Sequence, residues 1–229
     1  ERLNLGGNWT WSHLLGDLVG ETANSGPVRG AAYAYPEYRD PRWNNPVGSL
    51  GSDTRHRVRV FGTWDTPIPA SWGNLSLSAV QSWDTGLPYG ASQSIASYPY
   101  VTNPGYVSRP SSVNYYFTAR DAFRTDDVWQ TDLSLYYGYR IGGAVEVFIA
   151  PQVFNVFNQQ AVTAPNTTVE TQATNTSSYV RFNPFTDTPK QGARGTGANW
   201  NYGPLFGQPT GAASYQSTRS FRFSVGVRF

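Results

Sequence analysis

Cysteine is absent from this 229-residue sequence, and so is methionine. Without a thiol there is no disulfide, no thiolate metal site and no cysteine nucleophile. Charge is sparse: charged side chains make up 14% of the chain and leave a net charge of +2. All but Lys190 of the 17 basic residues are arginine, scattered without a run. No nucleic-acid partner is expected from such a pattern. Histidine occurs only at His13 and His56, which leaves little to build a triad, a metal site or a cofactor site with, so no enzyme is expected. Long hydrophobic runs are missing too, with a mean hydropathy of −0.45, and nothing approaches the ~18 consecutive apolar residues of a membrane helix. A helical membrane protein is excluded. No charged and apolar leader precedes Glu1, which stands where a strand already reads, so a processed or truncated piece of a longer product is expected.

What the chain does have is 39% hydrophobic residues, with 15 tyrosines, 8 tryptophans and 23 glycines, enough apolar material for one sizeable domain. The clearest pattern is at the C-terminus. Phe221, Phe223, Val225, Val227 and Phe229 alternate with Ser220, Arg222, Ser224, Gly226 and Arg228, and a period of two means a strand. The same layout recurs over 55–65, where Val58 and Val60 oppose Arg57 and Arg59 and the apolar row ends at Trp64. It recurs over 74–84, with Leu75, Leu77, Ala79 and Trp83 on one side, and over 128–140, with Trp129, Leu133, Leu135, Tyr137 and Tyr139. Strands over 3–12 and 144–157 complete six, and Pro151 is expected to demote the end of the fifth to an edge, bulge or rim. Each is about ten residues or a little longer, enough to cross a bilayer at a tilt, and apolar rows bounded by rings suit lipid-facing strands. Alternation alone also fits a soluble β-sandwich, such as a carbohydrate binder.

The connections alternate in length. Those at 66–73 and 141–143 are tight, whereas 13–54, 85–127 and 158–217 are long and rich in Gly, Pro, Asn, Ser and Thr. Short periplasmic turns alternating with long extracellular loops are the habit of outer-membrane barrels. The expected fold is therefore all-β: an antiparallel transmembrane β-barrel portion of about six to eight strands, a further hairpin lying in 87–120. Six strands fall below the smallest closed barrels of about eight, so the rest of the barrel or other chains must complete it.

The ordered segments WTWS (9–12), SDTRHR (52–57), WDTP (64–67), GLPY (86–89), TDLSL (131–135) and VFNVFN (153–158), with the aromatic terminus, resemble the C-terminal barrel of TonB-dependent outer-membrane receptors. The resemblance is to the Oar-like class with a carboxypeptidase-regulatory-like domain, and it spans nearly the whole chain. It implies localisation in the bacterial outer membrane and a 22-stranded barrel closed by a plug. It also implies uptake of a scarce nutrient such as a siderophore, vitamin or oligosaccharide, driven by the TonB complex. The plug domain and TonB box are absent from these residues. The alternative is a structural or interaction barrel subunit of a multi-chain assembly without transport.

Several residues stand out as candidates. Arg55, Arg57 and Arg59 form a one-sided ladder that would face the lumen, either drawing in an anion or, more simply, pairing with acids such as Asp132 or Glu146. In the loops, Trp43, Tyr98, Tyr100, Trp200 and Tyr202 could stack on a ligand or pack over the barrel mouth. Phe221, Phe223 and Phe229 resemble the terminal signal read by the outer-membrane assembly machinery. His56 has the parity of the apolar row, away from Arg55 and Arg57, and would point toward lipid or the rim. The N-x-S/T triplets at Asn8, Asn74, Asn166 and Asn175 are read as chance matches.

Overall fold

The computed structural model describes residues 2–17, 46–100, 112–142, 145–175 and 177–229. Among them there is no α-helix, only two short 3₁₀ turns at Ala70–Trp72 and Ala212–Ser214. Six strands make one antiparallel sheet: β1 (Leu3–Trp11), β2 (His56–Asp65), β3 (Asn74–Asp84), β4 (Val128–Ile141), β5 (Val145–Phe154) and β6 (Ser220–Arg228). They pair in chain order, β1 and β6 have one hydrogen-bonded neighbour each, and the sheet does not close. All six strands expected from alternation are present, with their ends shifted by a few residues at most.

Registers bring the like faces together. Leu3 meets Trp64 and Trp9 meets Val58; Trp64 meets Leu77 and Val58 meets Trp83. Trp83 then meets Trp129 and Ala79 meets Leu133, Leu133 meets Val153, and Val153 meets Phe221. Because side chains alternate strictly across a strand, these pairs make one face apolar across all six strands. The only polar side chains inside that face are Gln81 and Thr131, directly opposite one another and hydrogen-bonded together.

Three expectations about detail are corrected. Pro151 does not demote β5, which stays paired on both sides: Pro151 itself lies opposite Phe223, and the β4 ladder skips that level and resumes in the same register at Tyr137 and Ile149. A missing N–H costs local pairs without displacing the strand. Next, β5 ends at Phe154 and does not reach Phe157, because Asn155 adopts φ 51° and turns the chain. Its side chain donates to the carbonyls of Gln159 and Ser217, both at 2.9 Å. Finally, the hairpin hidden in 87–120 exists, as Ser92–Ala96 against Ser112–Tyr116, but it forms its own two-stranded ribbon and adds nothing to the main sheet.

The buried core is not under the sheet. Ile95, Tyr115 and Phe182 form one cluster, joined by Phe117 and Phe185, and Ala91, Val169 and Trp200 form another, joined by Phe117, Tyr202 and Phe206. All of these belong to the connections L2 (85–127) and L3 (155–219). The molecule is a single-layer sheet with a folded cap of loops at one end.

Candidate functional site

The apolar face carries Leu5 at 70% exposure, Trp9 at 65% and Phe223 at 66%. Soluble monomers rarely leave more than a few hundred Å² of contiguous apolar surface uncovered, and this face runs the breadth of six strands. Rings border it. At the loop end, Trp9, His56, Trp83 and Trp129 stack in a row across four strands, with centroid spacings of 5.9, 6.0 and 5.4 Å. Trp9 donates to His56 Nδ1 at 3.3 Å and Trp83 to Asp127 at 3.0 Å, so two of the three indole N–H groups are satisfied where the sheet meets the loops. At the turn end stand Trp64 and Tyr139, both exposed, and Tyr137, whose hydroxyl donates to the Trp72 carbonyl at 2.7 Å.

The opposite face is polar and internally paired. Arg57 and Arg59 both reach Asp84, at 3.2 and 2.8 Å, while Arg140 and Tyr136 reach Glu146. Thr63 and Ser78 share a hydrogen bond of 3.0 Å. The counter-ion of the ladder is thus Asp84, directly across from Arg57. Asp132 instead accepts from Gln130 and from the Asn155 amide. Asp84 has the same parity as Ser78 and Ser82, a signal that could have placed it among the candidates beside Asp132 and Glu146. Two aromatic rings lie over glycines on this face: a Cβ at Gly6 would stand 2.6 Å from the Phe61 ring, and one at Gly226 would stand 2.5 Å from the Phe148 ring. Such ring-over-glycine pairs hold register where glycine provides no side chain to pack.

Carboxylates fasten the cap. Asp53, its side chain wholly buried, accepts from the Leu14 amide at 2.7 Å, from Arg124 at 2.6 Å and from Arg55 at 3.2 Å. It ties L1 (12–55) to L2. Burial alone would push its carboxyl up, but the Leu14 amide and the two guanidinium groups together outweigh that and hold it below the ordinary value. Asp121 accepts from the Ser49 amide at 2.8 Å, and that bond is the main reason its carboxyl also lies low. Arg55 therefore leaves the ladder and joins this clasp. Gly86 marks the tightest approach, since a Cβ there would stand 1.9 Å from the Thr125 carbonyl oxygen. Neither strand can retreat, because Arg124 donates to the Gly86 carbonyl at 2.7 Å and Leu87 to the Thr125 hydroxyl at 2.8 Å. Gly86→Ala is expected to lower stability by about 1–3 kcal/mol, read as a lower urea midpoint at unchanged slope.

The loop aromatics divide. Trp200 is buried and Tyr202 partly so, both in the cap core, with Tyr202 against Phe206 at 4.6 Å. Tyr98 and Tyr100 instead line a cavity of about 250 Å³, and Trp43 lies outside the described residues. That cavity also takes in Arg181, Phe182 and Gln172, which carry no periodicity or motif by which a sequence could reveal them. Phe221 and Phe223 stand exposed on β6, and Phe229, past its end, is 96% exposed. Among the described residues no group of three or more His, Cys, Asp or Glu could hold a metal. No family model, no curated protein and no solved structure matches this chain.

Proposed function

We propose that the sheet is a section of the wall of a transmembrane β-barrel in the bacterial outer membrane. In this reading its apolar face meets lipid, its polar face meets the lumen and its loop cap faces outward. The observation that carries the reading is a sheet uncovered on both faces, one apolar and ring-bordered, the other polar and ion-paired. A soluble domain hides its apolar layer against a second one; a barrel wall needs none, because lipid and lumen water are the two solvents. The dimensions agree. Trp129 to Tyr139 is ten steps of about 3.3 Å, and a tilt of about 40° shortens that to an apolar band about 25 Å tall. Both sheet edges would expose unpaired backbone groups to lipid at several kcal/mol each, so further strands complete the wall.

By its resemblance to TonB-dependent receptors, the proposed activity is uptake of a scarce nutrient. The cap contacts the ligand, a plug outside these residues couples to the TonB complex, and the terminal phenylalanines are read during assembly. The open edges also fit a structural subunit completed by other chains.

The absence of native cysteine makes the test clean. Single cysteines at positions 77, 78, 79, 133, 134 and 135 are spin-labelled after reconstitution into lipid vesicles. Odd positions are expected to be relaxed by oxygen dissolved in lipid, and even positions by a water-soluble nickel chelate. Equal access of the aqueous reagent to both sets would sink the proposal.

A further inference from the structure

The cavity between L2 and L3 has a composition that selects a ligand. Its floor is Ile95 and Phe182, both buried in the cap core. Its walls include Tyr98 and Tyr100, placed by the turn in which the Tyr100 amide donates to the Ser97 carbonyl at 2.9 Å. Among the described residues Arg181 is the only charged side chain that lines it, and Gln172 lies on the same cavity. Other arginines of the cap are committed to carboxylates: Arg124 to Asp53 and Arg194 to Glu170. Arg181 and the Gln172 amide have no hydrogen-bond or ion-pair partner among the described residues.

We infer that this cavity is a binding site for a small organic anion with a flat apolar body, of the aryl carboxylate type. The inference rests on the reading of L2 and L3 as the ligand-contacting cap, and it adds a chemical class. The reasoning is one of complementarity. An apolar, ring-lined floor favours burial of an apolar body, and an uncommitted guanidinium at its margin offers a fork of donors matched to a carboxylate. With no acidic side chain among the described lining residues, a cationic ligand would meet the Arg181 charge unopposed. A volume of about 250 Å³ sits just below the span of about 300–1,000 Å³ that holds drug-sized molecules. One aromatic ring with a short acidic arm suits it, whether as a whole ligand or as one end of a larger one.

The probe is phenylacetate, titrated calorimetrically into the full chain in detergent, beside phenethyl alcohol (the same ring without charge) and acetate (the charge without the ring). Phenylacetate is expected to bind one to one, with both comparison compounds at least about tenfold weaker. Arg181→Gln is expected to lose at least about tenfold in phenylacetate affinity, and Arg181→Lys less, since a lysine keeps the charge without the fork. Because Arg181 is exposed and has no hydrogen-bond or ion-pair partner among the described residues, neither change threatens folding. Equal affinity for the alcohol, unchanged binding by Arg181→Gln, or no heat from phenylacetate up to about 10 mM overturns the inference. Spin-label alternation without phenylacetate binding removes the site and leaves the barrel wall standing, whereas binding without alternation does the reverse.

Discussion

Leu133→Arg is expected to destabilise the chain in lipid vesicles by about 2–4 kcal/mol, whereas Ser134→Arg, one residue on, should fall within about 0.5 kcal/mol. Leu133 stands in mid-strand on the apolar face, between Ala79 and Val153, and is 44% exposed. Ser134 points the other way, between Ser78 and Gln152, where an arginine meets neighbours of its own kind. A buried protein core would also reject arginine, so the third variant decides the matter. Leu75→Arg, at the turn end opposite Tyr137, should cost only about 0–1 kcal/mol, because a charge near the interface reaches water. Guanidinium titrations of the three variants in vesicles, followed by tryptophan fluorescence, measure the gradient. A penalty at Leu75 equal to that at Leu133 would point to a protein partner on this face and away from lipid.

The second large effect belongs to the cap. Asp53→Ala is expected to cost about 2–4 kcal/mol, because it strands the Leu14 amide and two guanidinium groups that share one buried acceptor. The Nε of Arg55 is already buried without a partner, so no alternative acceptor waits nearby. The loss should be local. Protease cleavage within L1 and L2 should accelerate while the sheet's exchange-protected amides stay protected, since the clasp joins loop to loop. The same clasp sets an acid limit. The carboxyls of Asp53 and Asp121 titrate below their ordinary value in the folded chain, against about 3.9 when unfolded. Their contribution is fully present above about pH 4 and is lost as pH falls through the lowered native values. The protection factors of the Leu14 and Ser49 amides, taken relative to intrinsic exchange at each pH, should therefore fall under acid, and Asp53→Asn should remove most of that fall at Leu14. A pH-independent protection factor there would refute the assignment.

The two halves of the molecule were not equally legible. Six strands and the faces of their side chains could be read from the chain alone, because in an extended backbone each residue points opposite to the last. Phe221, Phe223 and Val225 declare a face without any knowledge of their neighbours. Membership of His56 in the apolar row followed from the same parity, and so did the shared opposite face of Arg57 and Arg59. Their counter-ion did not. Choosing Asp84 over Asp132 or Glu146 requires the register between β2 and β3, which depends on the turn that joins them. Asn155 is a similar case, since only its positive φ and its bonds to Gln159 and Ser217 reveal why β5 stops where it does.

The loops were the opaque part. Their composition announced connection, and nothing periodic marks Ala91, Phe117, Val169, Trp200 and Phe206 as one core, because those contacts join segments far apart in the chain. Trp200 and Tyr202 looked as available as Tyr98 and Tyr100 until the fold packed the first pair into the cap core and left the second on a cavity beside Arg181. The sequence by itself determined a six-strand, two-faced, antiparallel sheet with long loops at one end, since alternation is a local property of the backbone. Only the tertiary structure decided which loop side chains are core, which carboxylates hold the clasp and that Arg181 has no partner among the described residues, since each depends on distances between residues that no local rule relates.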